Sequence, residues 1–204
     1  MSKTDYKKEL KEFYAAKVGK SVVVQVPKMN YIMIDGKGDP NTSQEYADAI
    51  EALYPVAYTI KFTSKNLHSK DFGVMPLEGL WWTENMADFS TDDKSNWLWT
   101  AMIMQPDVVT KELFDQAVEQ VRQKKSPKAL DKLRFEAYEE GRAAQVMYVG
   151  PYSDEGPTIQ SLHQFIHEQG GKLQGTNKHH HEIYLGNPRR TAPEKLKTII
   201  RQPF

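Results

Sequence analysis

The chain has 204 residues, enough to bury a real core as one domain or as two small lobes. Its 27 Lys and Arg cancel its 27 Asp and Glu, so it has no long-range positive field to hold a polyanion, and nucleic acid is not an expected partner. The absence of Cys excludes a disulfide framework, a thiol nucleophile and a thiolate metal site. The charged start MSKTDYKKELKEFY lacks the apolar run of a secretion signal, and no later segment approaches the ~20 apolar residues of a membrane span. A cytoplasmic protein without a membrane partner is therefore expected.

Along the chain, residues 4–16 read as a helix with Tyr6, Leu10, Phe13 and Tyr14 on one face. VVVQV (22–26) and NYIMIDG (30–36) read as strands separated by Pro27. Thr42 and Glu45 stand in a capping-box relation before an apolar stripe of Tyr46, Ile50, Leu53, Ala57 and Ile60. That pattern predicts a helix from about 43 into the low sixties, kinked near Pro55. PLEGLWW (76–82) and NWLWTAMIM (96–104) are predicted strands, with 85–95 as the turn region between them. An amphipathic helix over 110–124 follows, then Ser126-Pro127 as the start of a short one. FEAYEEG (135–141) leads into the strand RAAQVMYVG (142–150). A helix through Thr158, Ile159, Leu162, Phe165 and Ile166 is closed by Gly170-Gly171. KLQG and HHEIYLG supply two last strands, and the tail PEKLKTIIRQPF a short helix or an arm.

This order repeats. Both halves read strand, turn with Gly and Pro, helix, strand, strand, which predicts an α+β fold of tandem strand-helix-strand-strand units. The expected organisation is one domain over 1–204, an N-terminal helix followed by two pseudo-equivalent lobes at about 20–105 and 130–204. Such lobes join sheet to sheet, and the cleft between them is the natural ligand site.

Several motifs fail on their spacing. Gly19-Lys20-Ser21 ends like a phosphate-binding loop, but Tyr14 stands where a glycine is needed. Gly36-x-Gly38 has Asn41 at the third glycine position of a dinucleotide fingerprint, and Asp39-Pro40 makes a turn. His163 and His167 sit four apart on a helix, yet Gln164 replaces the glutamate of a zinc protease. His179, His180 and His181 alternate in a strand and cannot converge on one ion, so surface or strand-edge histidines are expected. Asn41-Thr42-Ser43 is a glycosylation sequon only in a secreted chain, and no nucleophile-elbow motif is present. No metal or organic cofactor is expected.

What survives is an acidic residue in an aromatic strand. In HHEIYLG the period of two puts Glu182 and Tyr184 on one face, Ile183 and Leu185 on the other. A carboxylate desolvated among rings has its pKa pushed toward the range of a general acid or base, whereas on a polar sheet face it is an ordinary exposed Glu. Trp81, Trp82, Trp97 and Trp99 crowd nineteen residues, as core filling or as flat walls for an aromatic or cationic ligand.

These residues carry a family resemblance. VMYVGPYSDEGPTIQSLHQFI followed by HHEIYLGNPRRTAPEKLKTIIRQP, with YIMIDGKGDPN and PLEGLWW earlier, is similar over the whole chain to the GyrI-like small-molecule-binding family. The resemblance implies two fused strand-helix-strand-strand units about a pseudo-twofold axis, antiparallel sheets and a central ligand cleft. It implies Glu182 as the ligand-facing carboxylate, Tyr152 as the aromatic of the G-P-Y element, and Tyr184, Trp81 and Trp82 as cavity lining. One stand-alone branch resembles hydrolases that open the cyclopropane ring of DNA-alkylating natural products and so detoxify them.

Two functions follow. As an enzyme, the chain hydrolyses a strained ring on a flat hydrophobic ligand, with Glu182 as base or water-positioner, Tyr152 as donor to the developing charge, and Trp81, Trp82 and Tyr184 as walls. As a binding module, the same cleft sequesters or senses drugs, and Met102, Met104 and Met147 let its walls adapt. A protein partner such as gyrase is a third reading and is not expected. With no helix-turn-helix or basic region before the domain, a transcription-factor role is not expected either.

Overall fold

The computed structural model describes residues 3–84, 93–173 and 178–204. Most of the predicted turn region at 85–95 and half of KLQG lie outside the described residues. Elements in chain order are α1 (Tyr6–Glu9), α2 (Lys11–Tyr14), β1 (Val22–Lys37), α3 (Gln44–His68), β2 (Leu77–Trp82), β3 (Leu98–Gln105), α4 (Lys111–Lys124), β4 (Arg134–Val149), α5 (Gly156–Glu168), β5 (His180–Tyr184) and β6 (Lys197–Pro203). The units β1-α3-β2-β3 and β4-α5-β5-β6 repeat the strand-helix-strand-strand order. Their strands join in the order β1-β3-β2-β5-β6-β4, and β4 returns to β1, so six antiparallel strands close into a barrel. Closure removes every free sheet edge.

Several local expectations are corrected. The N-terminal helix is two four-residue pieces broken at Leu10. Pro27 does not divide the chain into separate strands: β1 runs through it between the pairs Val26↔Gly141 and Lys28↔Glu139. The buried residues change phase there, from Val24 and Val26 to Met29, Tyr31 and Met33, so one long strand serves the core on both sides of a bend. In the partner strand the bend falls at Gly141, whose φ of 74° suits a residue without Cβ. FEAYEEG and RAAQVMYVG are likewise one strand, β4. The tail is the closing strand β6, and Ser126-Pro127 leads only to a 3-10 turn at Leu130–Lys132.

The helices form where the periodicity places them. Ser43, one residue beyond Thr42, caps α3 by accepting the Tyr46 N–H, and Glu45 instead holds Lys132 and the Lys37 N–H. Pro55 sits inside α3 without ending it. The buried face of α3, Ala49, Ala52, Leu53, Val56, Ala57 and Ile60, lets small residues bring the helix close to the sheet. α5 lays Leu162 and Ile166 on Ala144, Val146 and Ile200, a satellite core on the outer face of β4 and β6. Each fully buried Leu or Ile contributes roughly 1.5–3 kcal/mol. Among the described residues, no helix is long and apolar enough to cross a membrane.

Candidate functional site

Strand β5 carries chemistry on both faces. Its pairing sets Glu182 opposite Gly79 and His180 opposite Trp81, so these four share a face with Tyr184. Glu182 is 8% exposed; its Oε1 lies 3.0 Å from His180 Nε2, and its Oε2 accepts the Tyr184 hydroxyl at 2.6 Å. Burial alone pushes this carboxyl up, but the bonds from His180 and Tyr184 outweigh it and hold Glu182 below the usual carboxylate range. It is an ion in a dry setting.

A second carboxyl meets it. Glu155, at the N-terminal boundary of α5, is 3% exposed and lies close enough to Glu182 to feel its charge, while its Oε1 and the nearby Thr198 hydroxyl are buried with no hydrogen-bond partner among the described residues. Burial first, then the Glu182 charge, pushes Glu155 up to about 9, above what the Lys94 charge and Thr198 can offset. Two carboxyls in contact cannot both ionise at neutral pH, and here Glu155 keeps the proton. The sequence reading missed Glu155. Its only signal was an acidic residue in the turn SDEGP before a helix, and nothing local separates it from Asp154, which stays exposed.

Aromatic rings cover the pair. Tyr152, half-buried in a 3-10 turn ahead of α5, meets Tyr184 edge-on at 5.5 Å, and burial with the Glu155 and Glu182 charges pushes it up to about 12. It therefore stays a protonated donor. From α3, Tyr46 lies 5.7 Å from Trp81 and edge-on to Trp99 at 5.0 Å, and Trp97 lies 5.4 Å from Trp81. The Trp81 and Trp99 indoles lie over glycines. A Cβ on Gly79 would come within 2.7 Å of Trp81, and one on Gly36 within 2.3 Å of Trp99.

Of the residues picked from the sequence, Glu182, Tyr152, Tyr184 and Trp81 come together. Trp82 and Met147 do not. Trp82 shares the other face of β2 with Glu78 and stacks on His179 at 4.3 Å, beside an open concavity of about 440 Å³ lined by Asp35, Thr100 and Arg134. There Asp35 and Arg134 already pair at 2.8 Å. Met147 is level with Ile199 and Ile183, whereas Glu182 is level with Ile200, so the sheet separates them.

The histidine run is not superficial, contrary to expectation: His180 and His181 are 2% and 0% exposed. His181 points away from Glu182 into a buried network. Its Nε2 is 3.0 Å from Glu78, which also accepts the Tyr14 hydroxyl at 2.7 Å, and its Nδ1 is 2.9 Å from Glu140. Arg201 joins at 3.0 Å from Glu140 and donates to Gln145 and the Phe13 carbonyl. Burial disfavours the charged forms of His181, Glu140 and Arg201, yet the attraction between these charges raises His181 to about 9 and lowers Glu140 to about 2. The network ties α2 to the back of the strands that carry the carboxyl pair.

Residues 20–204 match the GyrI-like small molecule binding domain. The chain belongs to the GyrI-like family. This GyrI-like chain is similar to three solved Listeria innocua proteins. An uncharacterized conserved protein is 44% identical, with TM-score 0.88 and 98% and 99% of the two chains covered. Two proteins described as hydrolases are 43% and 41% identical, with TM-scores 0.87 and 0.83. The first match covers 99% of both chains, the second 98% of this chain and 99% of the other. No curated protein matches the sequence.

Proposed function

We propose that this GyrI-like protein is a cofactor-independent hydrolase that opens a strained cyclopropane ring on a flat hydrophobic ligand, of the kind found in DNA-alkylating natural products, and so detoxifies it. The observation that carries the reading is a buried Glu182, fixed by His180 and Tyr184 and held ionised, with a second buried carboxyl, Glu155, held protonated by burial and by that charge, beside the rings of Tyr152 and Tyr184. Two carboxyls whose environments push their pKa values apart are the setting for paired base and acid work. The hydrolase descriptions of two relatives above 40% identity support hydrolysis over simple binding.

In this mechanism Glu182 accepts a proton from water as the water oxygen bonds to the ring methylene. The carbon–carbon bond of the cyclopropane breaks, and its electron pair moves into a conjugated carbonyl, which becomes a phenolate and then takes a proton. His180 and Tyr184 fix the Glu182 oxygens, Glu155 stays protonated beside them, and the cycle closes when Glu182 releases the proton it accepted to solvent and the phenolate takes one from solvent. The rings of Tyr46, Tyr152 and Trp81 exclude water from the ligand.

The test is incubation with a cyclopropane-bearing alkylator followed by mass spectrometry for the gain of one water. Glu182→Gln is expected to keep binding and lose turnover by about a hundredfold or more. A ligand returned unchanged by the parent, with saturable quenching of Trp fluorescence, supports the binding-module reading instead.

A further inference from the structure

We infer that the Trp81 indole N–H is a specificity-determining hydrogen-bond donor that reads an acceptor, a ring carbonyl, on a flat polycyclic ligand. The inference rests on the small-molecule site proposed at the carboxyl pair. Trp offers one donor and no acceptor, and a buried donor in a native protein almost always finds a partner. The Trp81 Nε1 is buried and has no partner among the described residues.

Its position says what is missing. The Nε1 lies over Gly79, 2.7 Å from where a Cβ would stand, and Gly79 is directly opposite Glu182 on the neighbouring strand. The N–H thus sits over the backbone position next to Glu182, whose own backbone lies about one strand spacing, ~4.8 Å, away. Glu155 and Glu182 lie together, so both serve one end of a ligand; a group that takes up charge at the other end needs a separate donor. Tyr184 is committed to Glu182, and Tyr152, edge-on to Tyr184 and beside both carboxyls, is a donor at their end of the site. Trp99 has a similar orphan N–H, but over Gly36 on β1 and beneath the Tyr46 ring, away from β5. Tyr46 also covers Trp81 from α3, 5.7 Å away, so binding requires that ring to move aside.

The test uses the full chain and two planar probes, acridone, which carries a ring carbonyl, and 9,10-dihydroacridine, which does not. The parent and Trp99→Phe are expected to bind acridone about tenfold tighter, and Trp81→Phe to bind both alike. The indole resonance absent from Trp81→Phe is expected to shift downfield with acridone alone. If that variant does not fold, the same resonance in the parent, assigned by its proximity to the Gly79 α-protons, carries the test. A retained preference in Trp81→Phe, no preference in the parent, or an unmoved resonance at saturating acridone overturns the inference. Neither probe has a strained ring, so acridone preference with no turnover of the alkylator sinks the hydrolase reading alone.

Discussion

Glu155 and Glu182 differ only in what surrounds them. Glu182 receives two hydrogen bonds and ionises easily; Glu155 faces that ion in a dry pocket and holds its proton up to about 9. The unfolded chain releases the same proton near pH 4.5, so the native state binds more protons between about 4.5 and 9 and loses stability as pH rises through that range. Glu155→Gln, which mimics the protonated group, is expected to match the parent near pH 5 and to exceed its stability by ~1 kcal/mol or more near pH 8. Calorimetric melts of both proteins across this range check it, and parallel curves would mean that Glu155 ionises normally. Glu182 was legible from HHEIYLG because a two-residue period exposes a carboxylate among aromatics. Glu155 was not, since its perturbation comes from a strand 27 residues away.

At the scale of elements, the sheet beneath α3 works because glycine and tryptophan are paired by pleat. Gly36 is opposite Trp99, and its missing side chain is the space the indole fills. Gly36→Ala puts a methyl 2.3 Å from a ring that is 0% exposed, and overpacking of this kind costs about 1–3 kcal/mol. Urea unfolding should show a lower midpoint with an unchanged slope; a parent-like midpoint would mean that the ring does not depend on the glycine. The amphipathic helices were readable because their stripe is local. The strands were readable in type but not in extent: nothing near Pro27 or Gly141 tells that pairing with a distant strand carries the chain straight through. The tail KTIIRQP looked like an arm for the same reason, until β4 and β5 enclose it.

At the scale of the molecule, closure gives β5 two buried faces, one for the carboxyl pair and one for the charge network behind it. Removing one member of such a network strands the others in a dry interior, at about 3–5 kcal/mol. Arg201→Met is therefore expected to lower Tm by about 10 °C, more than any of the variants above. A change under ~2 °C would mean that water already reaches Glu140. The network also shapes the pH dependence. His181, raised to about 9, brings stability that is full below about 6.5 and lost as pH rises through 9. Glu140, lowered to about 2, brings stability that is full above about 4.5 and lost as pH falls through 2. Burial lowers His163 to about 4, so its neutral form adds stability as pH rises toward 6.5 and offsets the Glu155 decline there; stability should be level between about pH 4.5 and 6.5 and decline toward 9. The repeated strand-helix-strand-strand order, the helix faces and Glu182 beside Tyr184 are all written locally in the chain, because period and turn chemistry act over a few residues. Long-range packing adds the rest: the strands close into a barrel, His181 is a buried cation, Trp82 and Met147 face away from Glu182, and Glu155 completes the pair. Each of those depends on which distant strand lies alongside, and no local pattern encodes that.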